Sequence, residues 1–75
     1  MNAERRKRII SIATSIDLTK SDLESVRDDE QSAFDNLPDS LQSGSKGEKI
    51  EEAISTLEEA IDSLQSAMDS LDQIQ

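Results

Sequence analysis

The stretch that decides the fold is IEEAIST (50–56), LEEAIDS (57–63), LQSAMDS (64–70) and LDQIQ (71–75). It is a seven-residue repeat. Ile50, Leu57, Leu64 and Leu71 recur at one position, and Ile54, Ile61 and Met68 fall four residues after the first three. Apolar spacing that alternates four and three is the seam of a packed helix. Ala53, Ala60 and Ala67 stand beside the seam and widen it with small side chains, so a neighbouring backbone can come close. A face that wide fits a hairpin or a bundle better than a two-stranded zipper.

Working outward toward the N-terminus, Ser45-Lys46-Gly47-Glu48 has the form of a capping box. The Ser45 hydroxyl would accept from the Glu48 amide while the Glu48 carboxylate reaches back. Glu48, Glu51 and Glu52 in the opening turns suit the positive end of the helix dipole. The pattern predicts a helix over 46–74, about 40 Å long at ~1.5 Å per residue.

The first half repeats the pattern less cleanly. Ile9, Ile12, Ile16, Leu23, Val26, Ala33 and Leu37 fit one heptad frame, with Thr19 and Glu30 in the two remaining seam positions. Asn2 is a candidate N-cap. Ser21 to Glu24 could cap a second start, but the frame passes through it without a phase change, so one continuous helix over 3–36 is expected. Between the helices lies the linker 37–45. Pro38 disfavours helix at Leu37 and can open a short turn over 38–42, which Gly44 would end with a positive φ. A short connection makes long helices antiparallel neighbours. The expected architecture is all-α: a single domain over 1–75, an antiparallel helical hairpin pairing into a four-helix bundle.

Composition points the same way. Leu, Ile, Val and Phe make up 17 of the 75 residues, just above the roughly 20% below which a highly charged chain stays disordered. A chain this short rarely draws more than about 3–5 kcal/mol from its own core without a staple. Cysteine is absent and no metal site is evident, which leaves unusually regular helix packing and self-association, and both are expected. A homodimer or higher oligomer is expected, joined through Ile54, Leu57, Ile61, Leu64, Met68 and Leu71.

The same counts exclude much chemistry. The chain has no His and no Cys, hence no imidazole base, no thiolate and no zinc site of the usual kind. Twelve serines have no base to activate them and no Gly-x-Ser-x-Gly elbow. Gly44-Ser45-Lys46-Gly47 lacks the spacing and the preceding strand of a phosphate loop. Asp28-Asp29-Glu30 lacks the spacing of a calcium loop. No catalytic, cofactor or metal residues are assigned, and no membrane span is expected, since no apolar run approaches about 20 residues.

Charge is polarised. The net charge is −9. Residues 1–20 carry Arg5, Arg6, Lys7, Arg8 and Lys20 against Glu4 and Asp17; residues 21–75 carry 15 acids against Arg27, Lys46 and Lys49. The run Arg5-Arg6-Lys7-Arg8 opposes the dipole at a helix start, so antiparallel packing should match it with Asp69 and Asp72. The same run is the candidate for nucleic-acid contact, but no aromatic follows to stack bases and the acidic remainder repels phosphate. At the loop end, Asp28, Asp29, Glu30 and Asp35 meet Glu48, Glu51 and Glu52. That end is a solvated face, a surface that docks on a basic groove of a partner, including by mimicry of DNA phosphates, or a weak divalent-cation site. The candidate partner-binding residues are Glu30, Phe34, Asp35, Glu48, Glu51 and Glu52. Glu30 sits on the seam of the frame, and a slight slip would let it reach solvent or free amides near 41–45. Phe34 and Leu37 would pack against Leu41 and Ile50, with Asn36 ending the first helix.

The stretch 29–49, DEQSAFDNLPDSLQSGSKGEK, together with the heptads that follow, resembles small acidic helical-hairpin proteins of bacteriophages and integrated elements. The match rests on the acidic residue and Gln before Ala33-Phe34-Asp35-Asn36, then on Leu37-Pro38, Leu41-Gln42 and Ser45. It departs at Gly47, where a longer charged residue is expected. The resemblance implies an accessory protein acting in the cytoplasm of a bacterial host, and implies no chemistry. A natural task for such a protein is to bind a host or phage protein, including inhibition of a host defence or nucleic-acid enzyme. The alternatives are a nucleic-acid-binding protein using the basic run, or a coiled-coil scaffold.

Overall fold

A computed structural model describes residues 1–74; Gln75, the last residue of the expected domain, lies outside the described residues. Three helices follow in order: α1 (Ala3–Asp35), α2 (Asp39–Gln42) and α3 (Ser45–Asp72), with no strand among the described residues. The Cα atoms span 58 × 15 × 11 Å, two helices wide and one helix thick. Arg6 and Ile9 share a hollow with Leu71 and Asp72, while Val26 and Glu30 share one with Ala53 and Leu57. The start of α1 therefore lies beside the end of α3, and the two helices run in opposite directions.

The helix ends follow from local chemistry. Asn2 Oδ1 accepts the Arg5 N–H at 2.9 Å, as an N-cap does. Helix α1 runs unbroken through Ser21 and ends one residue before the expected boundary, where the Asn36 N–H turns to the Ser32 and Phe34 carbonyls. Pro38 then accepts the Leu41 and Gln42 amides at 2.8 and 3.1 Å to make the single turn of α2.

Two expectations at the next junction are corrected. Helix α3 begins at Ser45, so its N-cap is Gly44, whose carbonyl accepts the Glu48 N–H at 3.0 Å; no side chain caps it. Ser45 is already inside the helix, one position too late for a capping box. Gly44 is extended at φ −91°, ψ −174° rather than left-handed. A Cβ at Gly44 would make ordinary contacts at 3.6 Å.

The glycine that the fold requires is Gly47. It is buried, and a Cβ there would lie 2.8 Å from Gln42 Cα and closer still to the Gln42 carbonyl. The first turn of α3 thus presses on the last residue of α2. Gln42 also reaches back, its Nε2 donating to the Phe34 carbonyl at 3.1 Å. This small corner ties all three helices together. A longer side chain has no room at Gly47.

The inner face of α1 differs from the expected frame by one residue in every heptad. The half-buried positions are Ile9, Ala13, Ile16, Lys20, Leu23, Arg27, Glu30, Phe34 and Leu37, with Glu24 beside them. Ile9, Ile16, Leu23, Glu30 and Leu37 belong to both frames. The other row is Ala13, Lys20, Arg27 and Phe34, whereas Ile12, Thr19, Val26 and Ala33 are exposed. This rotation brings the lone aromatic inward. Lys20 and Arg27 can occupy a seam because their aliphatic stems cover apolar surface while their heads find polar partners. The result is a thin core: Ile61, 6% exposed, is the buried apolar side chain among the described residues. Ile10, Ile12, Leu18 and Val26 are each about half exposed or more.

Candidate functional site

Helix pitch divides the charges of the loop end among three surfaces. On the outer side of α3, Glu48, Glu51 and Glu52 surround one shallow hollow with Ser45, Lys49 and Ser55. These are the three acids expected to act together, and one helical turn places them together.

The other two surfaces lie where α1 meets α3. One hollow is lined by Val26, Glu30, Lys49, Glu52, Ala53, Thr56 and Leu57. Another, at the same level, is lined by Gln31, Phe34, Glu51, Ile54, Ser55 and Glu58. Both helices contribute to each hollow. Two hollows at one level between the same pair of helices must lie on opposite flanks of their contact. The structure therefore separates Glu30 from Phe34: Glu30 is on the flank with Val26 and Lys49, and Phe34 is on the flank with Glu51 and Glu58.

Glu30 remains on the seam, half-buried. The amides of Leu41, Gln42 and Gly44 bond to backbone carbonyls instead. Phe34 shares its hollow with Ile54, one turn beyond the expected Ile50, and Leu41 is largely exposed. Asp35 accepts from Gln31 Nε2 at 3.1 Å, and Gln31 is one of the residues lining the Phe34 hollow. A hollow that sets Phe34 and Ile54 beside Gln31, Glu51, Ser55 and Glu58 suits a cationic, partly apolar side chain. Among the described residues no three carboxylates converge as metal ligands would.

At the other end, the basic run is dealt round the helix at ~100° per residue. Arg6 faces Asp72 across the hollow with Leu71 and Ile74. Asp69 accepts from Gln65 Nε2 at 2.9 Å. Arg5 and Arg8 line a separate hollow with Met1, Ile9 and Ile12. The expected match between the basic run and the end of α3 thus involves Arg6, not the whole run.

Among the residues expected to join copies of the chain, Ile61 is buried within this chain, and Ile54, Leu57, Leu64, Met68 and Leu71 are half-buried on the face that meets α1.

One polar element escaped the pattern of apolar residues. Lys20 Nζ donates to Gln65 Oε1 at 2.6 Å, partly buried, across the middle of the rod. The signal was present in the heptad count: shifting the α1 frame by one residue puts Lys20 on the seam. Arg27, the next residue of that row, donates to Asp28 Oδ1 at 3.1 Å.

No family model, curated protein or solved structure matches this chain. Among the described residues, no helix is long and apolar enough to cross a membrane.

Proposed function

We propose that the chain is a non-enzymatic protein-interaction module: a helical hairpin that pairs with itself into a four-helix bundle and docks its acidic end on a basic surface of another protein. The observation that carries this reading is the Phe34 hollow, which sets Phe34 and Ile54 beside Glu51 and Glu58 at the end of the rod where acids outnumber bases most. Interface anchors are commonly aromatic, and a cluster of like charge selects partners of the opposite sign. The resemblance to phage and integrated-element proteins supports a host protein as the partner, in the bacterial cytoplasm. A nucleic-acid enzyme has the basic groove such a surface needs, so inhibition by occupying that groove is the proposed mechanism. Among the described residues no carboxylate is buried, so none is desolvated as a catalytic acid or base would be, which supports a binding role.

The test is a tagged-chain capture from bacterial lysate, with and without nuclease, alongside the variant Glu48→Lys, Glu51→Lys, Glu52→Lys. The reading expects one protein enriched under both conditions and lost with the variant, whose helical circular dichroism is unchanged. Capture that survives the triple reversal would overturn the acidic-docking mechanism. Recovery that disappears with nuclease would move the working surface to Arg5, Arg6, Lys7 and Arg8.

A further inference from the structure

The flank that carries Glu30 continues along the whole rod. Ile12 and Val26 are two heptads apart and so occupy one row of α1, with Thr19 midway between them. Val26 lines a hollow with Ala53 and Leu57 of α3, and Ile12 lies on α1 beside Arg8 and Arg5, one and two turns before it. Ile12 is 52% exposed and Val26 47%. On α3 the same flank continues through Ala60 and Ala67, small residues that let a second layer approach closely. The molecule is 58 Å long and 15 Å wide, so two copies laid face to face would overlap along the whole of α1. It is also one layer thick, and amphipathic helices become stable by burying their apolar stripe against a second layer.

Charge decides what covers this flank and in which sense. Along the α1 edge the order is Arg5 and Arg8, then Ile12, Thr19 and Val26, then Asp29 and Glu30. Residues 21–60, the loop half of the rod, carry 12 acids against three bases. Two copies stacked in the same sense would set these acidic halves against each other. Stacked in opposite senses about a two-fold axis at Thr19, they place the cationic start of each α1 over the anionic end of the other, with α1 over α1 and α3 over α3.

We propose that a second copy of this chain covers the Ile12–Val26 flank in the opposite sense, so that Ile12 of each copy lies over Val26 of the other and Arg5 and Arg8 of each reach Asp29 and Glu30 of the other. This rests on the reading of the chain as a self-pairing hairpin and adds its sense, its register and its ion pairs. It leaves the Phe34 hollow on the opposite flank open, so self-pairing and partner docking do not compete. An isologous contact of this kind closes at two chains.

The chain has no cysteine, so single cysteines report the arrangement cleanly. Thr19→Cys should form a disulfide-linked dimer under mild oxidation in high yield. A mixture of Ile12→Cys and Val26→Cys chains should form the mixed dimer in preference to either self-linked product. A charge exchange gives the second reading. Arg5→Glu, Arg8→Glu and, separately, Asp29→Lys, Glu30→Lys should each weaken self-association at least tenfold, and an equimolar mixture should recover it as a heterodimer. Sedimentation of the unmodified chain separates the possible failures. A monomer up to high micromolar concentration would overturn the self-pairing reading and this proposal together. A dimer whose Thr19→Cys variant fails to link, and which the charge-exchanged mixture does not recover, would overturn the proposed sense and register while leaving self-pairing in place.

Discussion

Lys20 Nζ and Gln65 Oε1 meet at 2.6 Å across the two long helices, and the Gln65 amide passes the contact on to Asp69 at 2.9 Å. The pair joins residues 45 apart in sequence at mid-rod, one turn of α3 from the buried Ile61. A partly buried bond of this sort contributes about 0.5–1.5 kcal/mol net. Lys20→Met alone should cost about that much in urea unfolding. The double variant Lys20→Met, Gln65→Leu should recover the loss or exceed it, because two apolar side chains leave no unsatisfied group. A double-mutant cycle reads the coupling directly.

Gly47 is the position least able to change. In an exposed helix Gly→Ala gains about 1 kcal/mol of helix propensity. Here the added Cβ would collide with the main chain of Gln42, which cannot swing aside as a flexible side chain would. Gly47→Ala should therefore destabilise by about 1–3 kcal/mol, while Gly44→Ala should be close to neutral. Thermal unfolding of the two variants side by side measures the contrast.

Asn2 caps α1 through a single bond to the Arg5 amide. Asn2→Ala should cost about 1 kcal/mol, concentrated in the first turn. Hydrogen exchange at the Arg5 amide should quicken while exchange near Ile61 is little changed.

Phe34 is half-buried. Truncation to Ala should cost less than the about 3–5 kcal/mol of a fully buried Phe, and the variant should remain helical. Partner capture should be lost all the same. Capture at unchanged strength by Phe34→Ala would remove Phe34 from the docking surface.

The second half of the molecule was legible because its sequence is redundant. Seven apolar residues at alternating spacing, flanked by alanines, admit one helix face only. The first half was less so. Ile9, Ile16, Leu23, Glu30 and Leu37 fit either of two frames, and the sequence offered Ile12, Val26 and Ala33 against Ala13, Lys20, Arg27 and Phe34. Counting apolar residues favours the first set. The structure adopts the second, since Phe34 moves inward and the stems of Lys20 and Arg27 serve as apolar surface. The acidic end was evident from composition, but its division into two flanks was not: it depends on that same rotation, which sends Glu30 one way and Phe34 the other. The sequence placed Gly47 inside a capping box and gave no packing reason for it. Only the position of Gln42, five residues away and in another helix, shows why nothing larger fits.

Ile61 is the buried apolar side chain among the described residues, and the proposed second copy would complete so thin a core. The most direct test is thermal unfolding by circular dichroism across a hundredfold range of protein concentration. A fold that includes a partner chain gains stability by mass action, so Tm should rise steadily with concentration. A sharp transition whose Tm is independent of concentration would show that one chain suffices, and would contradict the account.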